Sequence, residues 1–122
     1  MKKQSGFTLI ELVMVIVILG VLAVTALPKF IDMKSDAQAA ALQGVAGSLN
    51  SAFAINYAAR SANAAKGVAV ANCSDSDNVL QGGVPAGYAV AASAVAAGST
   101  SSCTLTQTAT SSTTTVTAIG IN

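Results

Sequence analysis

Glu11 is the residue whose type and setting most need a chemical explanation. It is the only ionisable side chain in residues 7–27 of a 122-residue chain. An ionised carboxylate in so apolar a run costs on the order of a few kcal/mol, so such a group is usually paired or functional. The bland alternative is a first-turn carboxylate facing its own helix dipole, worth only ~0.3 to 1 kcal/mol. Cys73 and Cys103 are the only cysteines. They read as a disulfide if the part of the chain that carries them is exported, because oxidising compartments keep such bonds. Closing a loop of about 30 residues would stabilise that part by roughly 3 to 4 kcal/mol. Two free buried thiols are the alternative, and a metal site is short of ligands, since the chain has no His and its carboxylates are dispersed. Asp75 and Asp77 alternate with Ser and Asn in residues 74–78, an oxygen pattern that a calcium loop could use. The stretch lacks the glycine and the distal glutamate of such a loop, so a solvated loop is favoured.

These groups do not add up to catalysis. Without His, the commonest general acid/base is missing, and the expectation is no enzyme, no cofactor and no metal. Six basic and five acidic side chains leave a net charge of +1 and no basic face for phosphates, so nucleic acid is not an expected partner. Only 9% of residues are charged, against roughly 25% in soluble domains, while 52% are hydrophobic and 4% aromatic. The apolar content is therefore small and aliphatic, which suits close helix packing. The length is that of one domain.

The elements that must position Glu11 and the cysteines follow from the uneven spread of this composition. Residues 7–27 form an apolar run of 27 − 6 = 21 residues; as a helix it would be roughly 31 Å long, enough to span a hydrocarbon core of about 30 Å. A cleaved secretory signal fits poorly, because Ala23 and Ala26 offer the wrong small-residue spacing. A plain signal anchor explains the length and the flanking Lys2 and Lys3, but not Glu11.

A third reading accounts for all three. The stretch Gly6-Phe7-Thr8-Leu9-Ile10-Glu11-Leu12 resembles the processing motif of type IV pilins, with Gly20 and Pro28 where many pilus subunits carry a glycine and a proline. The resemblance implies a leader of residues 1–6, cut between Gly6 and Phe7 by a prepilin peptidase that also methylates Phe7. The new Phe7 amine is then the cation missing from the apolar run, and the resemblance implies that Glu11 of one subunit meets the Phe7 amine of a neighbour during assembly. It also implies local melting between Gly20 and Pro28 in the filament. A proline kink is the alternative, since Pro28 removes the backbone donor for the Val24 carbonyl.

Beyond Pro28, Leu42, Val45, Ala46, Leu49, Phe53 and Tyr57 recur at three- and four-residue spacing, which predicts an amphipathic helix with Gln43, Ser48 and Ser51 on its polar side. Ile55 lies off that stripe and Arg60 on it. One helix over 7–62 is expected. Strands are predicted at 68–72, 88–95, 104–110 and 113–119, with Ser111-Ser112 as a turn and 82–85 as a loop. Asn72-Cys73-Ser74 matches a glycosylation sequon formally, and residues 110–117 could carry O-linked sugar, although an exposed β-edge is favoured.

The expected architecture is α+β, a long N-terminal helix packed on a small C-terminal antiparallel β-sheet. Its segments are the leader (1–6), a membrane and filament-core helix (7–27), an amphipathic helix (28–65) and a disulfide-closed β-rich region (66–122). The resemblance implies a major pilin, held in the inner membrane as a precursor and then polymerised by assembly machinery into a surface filament for adhesion or motility. A minor pilin, a type II secretion pseudopilin, or a membrane-anchored binding module that keeps its leader are the alternatives.

Overall fold

A single helix, α1, runs from Leu9 to Ala62 in the computed structural model, which describes residues 3–122. Lys2, part of the leader reading, lies outside the described residues. The helix starts two residues later than expected because Thr8 caps it: Thr8 Oγ1 accepts the Glu11 amide at 3.4 Å, and Glu11 Oε2 accepts the Thr8 amide at 2.8 Å. This reciprocal pair satisfies two of the amide donors that a helix start leaves without partners. Pro28 lies within α1 without ending it.

The chain divides between Ala37 and Gln38 into two compact units. In the second, the buried face of α1 presents Leu42, Ala46, Leu49 and Phe53 to a core completed by Val70, Cys73, Val95, Cys103, Leu105, Val116 and Ala118. Tyr57, expected on that stripe, is 37% exposed, and Asn56 is buried in its stead. The polarity of Asn56 hid this. Its carboxamide donates to the Val68 carbonyl at 2.9 Å and accepts the Val68 amide at 2.7 Å, so both of its polar ends are satisfied. Gly67 must stay bare beside it: φ there is +73°, and an added Cβ would lie 2.6 Å from Asn56 Oδ1. Arg60 closes the stripe by donating to the main-chain oxygens of Ala64 and Asn122, both at 2.8 Å.

The sheet is antiparallel with strand order β1-β2-β3: β1 Tyr88–Val90, β2 Thr100–Gln107 and β3 Ser112–Ile119. Three strand expectations need correction. Residues 68–72 make only isolated bridges, Val70 with Ile121 and Asn72 with Ala94. The expected strand 88–95 stops at Val90, because residues 93–95 turn to bond the 71–73 segment, with the Cys73 amide donating to the Ser93 carbonyl and the Val95 amide to that of Ala71. The β2–β3 hairpin turns over residues 108–111, with Ser111 at φ 57°, so β2 ends at Gln107 rather than at residue 110 and Ser112 is already in β3; β2 also begins earlier than expected, at Thr100. Asn50 of α1 covers part of the β3 edge by accepting the Thr117 amide at 2.8 Å.

Residues 74–78, expected as a solvated loop, lie within a 3-10 turn at Cys73–Asp75 and a short helix α2 at Ser76–Val79. The Asx pattern that suggested calcium ligands serves the backbone instead. Asp75 Oδ2 accepts the amides of Ala71 and Asn72, each at 2.9 Å, and Asp77 Oδ1 accepts that of Val84 at 3.0 Å. Asn72 Oδ1 accepts from the amides of Ser74 and Ser93 and from the Ser74 hydroxyl, so the oxygen of the sequon carboxamide also serves the local fold.

Candidate functional site

Two features could carry function: the start of α1 with the apolar surface that follows it, and the cross-link that holds the sheet. At the first, Thr8 fixes the helix start and so places Glu11 one turn inside it, where its carboxylate turns back over the chain entering the helix. Ser5, Gly6, Phe7 and Glu11 line one surface depression. The structure therefore brings together the expected cleavage site and the expected assembly residue. Phe7 is 94% exposed. Thr8 went unmarked in the sequence reading, although Thr followed three residues later by Glu is the pattern of a capping box.

From Leu9 to Met33 the large apolar side chains of α1 all stand in the open. An α-helix that is apolar on every side is stable only in lipid or among other helices, since water around such a surface is unfavourable at about 25 cal/mol per Å². The helix is long and apolar enough to cross a membrane. Gly20 interrupts this surface: with Ile16, Val17, Val21, Val24 and Thr25 it forms an apolar notch, and nothing lies within 4 Å of its Cβ position. The helix is continuous from Gly20 through Pro28, with the Thr25 hydroxyl donating to the Leu22 carbonyl at 2.9 Å.

The second feature is the disulfide between Cys73 and Cys103, with Cα atoms 5.7 Å apart. It ties the 3-10 turn to β2, and both cysteines are fully buried. The core cluster that holds it is small, with Phe53, Leu49 and Leu105 its largest fully buried side chains, so the covalent link adds stability that so little apolar volume supplies only in part. Thiol labelling of the unfolded, unreduced chain should give no adduct at either cysteine; adducts at both would show that the bond does not form. Among the described residues, no three His, Cys, Asp or Glu side chains come together as metal ligands.

Residues 1–27 match the family of the prokaryotic N-terminal methylation motif. The chain is 45% identical over 53 residues to the type IV narrow pilus major component PilA5 of Thermus thermophilus, covering 43% of this chain and 46% of that protein. It is 50% identical over 44 residues to the type IV major alpha-pilin of Moraxella bovis, 36% of this chain and 28% of the relative. With the fimbrial protein EcpB of Eikenella corrodens the identity is 58% over 38 residues, 31% and 24% of the two chains. The matched part thus spans less than half the length of these relatives. No solved structure matches the chain.

Proposed function

We propose that this chain, a type IV pilin through its N-terminal half, is the major structural subunit of a pilus and works by assembly rather than by catalysis. The observation that carries the reading is an apolar helix with its large side chains exposed on every side and one carboxylate in its first turn, in an apolar run that begins directly after Gly6. A prepilin peptidase removes residues 1–6 and methylates Phe7. Residues 7–27 hold the precursor in the inner membrane and then form the filament core, while residues 28–65 and the β-rich region at 66–122 build its outer layer. Glu11 of an arriving subunit neutralises the Phe7 amine of its neighbour. The notch at Gly20 takes a side chain of an adjacent helix, and the segment between Gly20 and Pro28 unwinds there, where the helix already lacks one hydrogen bond.

Lipid tails and neighbouring apolar helices solvate such a surface almost equally well, so the transfer from membrane to filament has little hydrophobic driving force. Assembly therefore requires a membrane platform and a cytoplasmic ATPase. The homopolymer is extracellular and serves adhesion or motility. The test is the N-terminal sequence and mass of subunits from sheared surface filaments. The expected result is that this chain is the abundant component and begins at methylated Phe7. Any other first residue, or the chain as a trace component, refutes the major-pilin reading.

A further inference from the structure

Between the α2 region and residues 84–90 lies a cavity of about 330 Å³, at the small end of the range for small-molecule sites, about 300 to 1,000 Å³. Ser74, Ser76 and Asp77 supply polar groups to it, and Val84, Pro85 and the ring of Tyr88 supply apolar surface. Ser76 is only 1% exposed, yet its hydroxyl bonds to no other group of the described residues. No polar side-chain atom among them is sealed in the interior without a partner, so this hydroxyl keeps an opening at the cavity it lines. A buried polar group of this kind is satisfied by whatever occupies the space beside it.

Asp77 adds a charge without a counter-ion. Its Oδ1 accepts the Val84 amide at 3.0 Å, which leaves Oδ2 without a partner in the chain. No Lys or Arg lines the cavity, and residues 78–122 contain neither. The Ser74 hydroxyl donates to Asn72 Oδ1 at 3.1 Å, so toward a ligand it can only accept. The Tyr88 hydroxyl accepts from Gln107 Nε2 at 3.2 Å, which ties its ring to the buried side of the sheet.

We propose that this cavity binds a primary ammonium group carried on an aliphatic stem. Such a group has three donors and no acceptor, and Asp77 Oδ2 with the hydroxyl oxygens of Ser74 and Ser76 offers three acceptors, one of them charged. The stem lies along Val84, Pro85 and the Tyr88 ring, as the methylene stems of cationic side chains commonly lie on apolar surface. An anion is opposed by the uncompensated carboxylate. A divalent metal needs several oxygen ligands, and among the described residues no three His, Cys, Asp or Glu come together. A neutral polyol would leave Asp77 unbalanced and bring acceptors to which Ser74 cannot donate. Two sources carry an alkylammonium: a lysine of a second copy, Lys29 and Lys34 both being exposed, or a free alkylamine. The first source rests on the filament reading above; the second does not.

The test follows the amide NMR shifts of residues 74–90 in the detergent-solubilised full chain as n-butylammonium is added. Saturable shifts are expected there, and 1-butanol or tetramethylammonium, which lack the charge or the N–H donors, should not reproduce them. Asp77→Asn keeps an oxygen for the Val84 amide and loses the charge, so binding should weaken about tenfold or more. Ser76→Ala removes a hydroxyl with no partner in the chain, so the unfolding midpoint should hold while binding weakens about two- to tenfold. Absence of saturable shifts, equal shifts from either control, or shifts from a methyl glucoside in place of n-butylammonium overturns the proposal. So does a Ser76→Ala chain that loses stability and binds as before. A carbodiimide, which condenses a carboxylate with an amine in contact, then separates the sources in sheared filaments. An Asp77 cross-link to Lys29 or Lys34 of another subunit assigns the site to a second copy. Coupling of added n-butylamine at Asp77 ahead of Asp32 and Asp36 assigns it to a free amine, and Asp77 that couples to neither overturns the proposal. If the chain gives no filaments, the filament reading falls and the titration still decides the site.

Discussion

Gly120→Ala should destabilise the sheet-bearing unit by more than about 4 kcal/mol, a large fraction of what a small domain has to lose. Gly120 is buried just after β3, where its amide donates to the Ser99 carbonyl and its carbonyl accepts the Gly98 amide, both at 2.9 Å. A Cβ there would overlap the Ala96 carbonyl oxygen and lie 2.8 Å from its carbon and 3.1 Å from Val95 Cγ1. The first two are backbone atoms and cannot rotate away. Relief requires the 95–99 loop to move, which breaks both hydrogen bonds and lifts Val95 from the core; ordinary overpacking costs about 1 to 3 kcal/mol, and lost bonds add to it. The next residue, Ile121, bridges Val70, so the displacement reaches the segment that leads to Cys73. Gly44→Ala and Gly47→Ala are the controls, since nothing lies within 4 Å of either Cβ position and both sit inside α1. They should be neutral or stabilise by up to about 1 kcal/mol. Protease resistance of the detergent-solubilised full chain, against denaturant, measures all three. Equal resistance of Gly120→Ala and the two helix variants would show that the loop yields freely.

None of this was visible at Gly120 in the sequence, where it is one more glycine near a strand end. The contrast with α1 is physical. A helix is specified by neighbours three and four residues away, so the run from Leu9 and the stripe through Leu42, Leu49 and Phe53 announce it locally. Even there, Tyr57 was placed on the buried face by its apolar type, while Asn56 holds that place through bonds to Val68, whose position no periodicity reveals. Strands are specified by partners far along the chain. Residues 68–72 have enough Val to read as a strand, yet gain only isolated bridges. Thr100–Ser102 have no large apolar side chain to mark an inner face, yet pair with the end of β3. Residues 74–78 read as a loop because Asn, Asp and Ser suit loops and helix caps equally, and the choice between them is made by where the amides of Ala71, Asn72 and Val84 lie. The start of α1 is local for the same reason: the expected cleavage position, the carboxylate and the apolar run are contiguous in the sequence.

Glu11→Gln should leave the subunit folded, membrane-inserted and processed, yet unable to assemble at a normal rate. The structure makes Gln the informative replacement. Its Oε1 can still accept the Thr8 amide, because a capping box takes Glu or Gln at this place, so the start of α1 is preserved. Membrane insertion is not opposed, since a neutral amide is less costly in an apolar interior than a carboxylate. Processing should also persist, as the cut between Gly6 and Phe7 lies outside the proposed pair. What changes is charge alone. A Phe7 amine buried beside a neighbour without its counter-ion costs about 3 to 5 kcal/mol, or at least roughly a hundredfold in the affinity of each added subunit. Filament yield should therefore collapse while subunit mass and membrane fractionation match wild type. Glu11→Ala separates charge from cap: it loses both, so it should fail to assemble as Gln does and also fray the helix start, at a cost of about 1 kcal/mol. If Glu11→Gln subunits, expressed without any wild-type copy, give normal counts of sheared filaments while Glu11→Ala does not, the carboxylate acts as a helix cap. The pairing of Glu11 with a neighbour's Phe7 amine then falls.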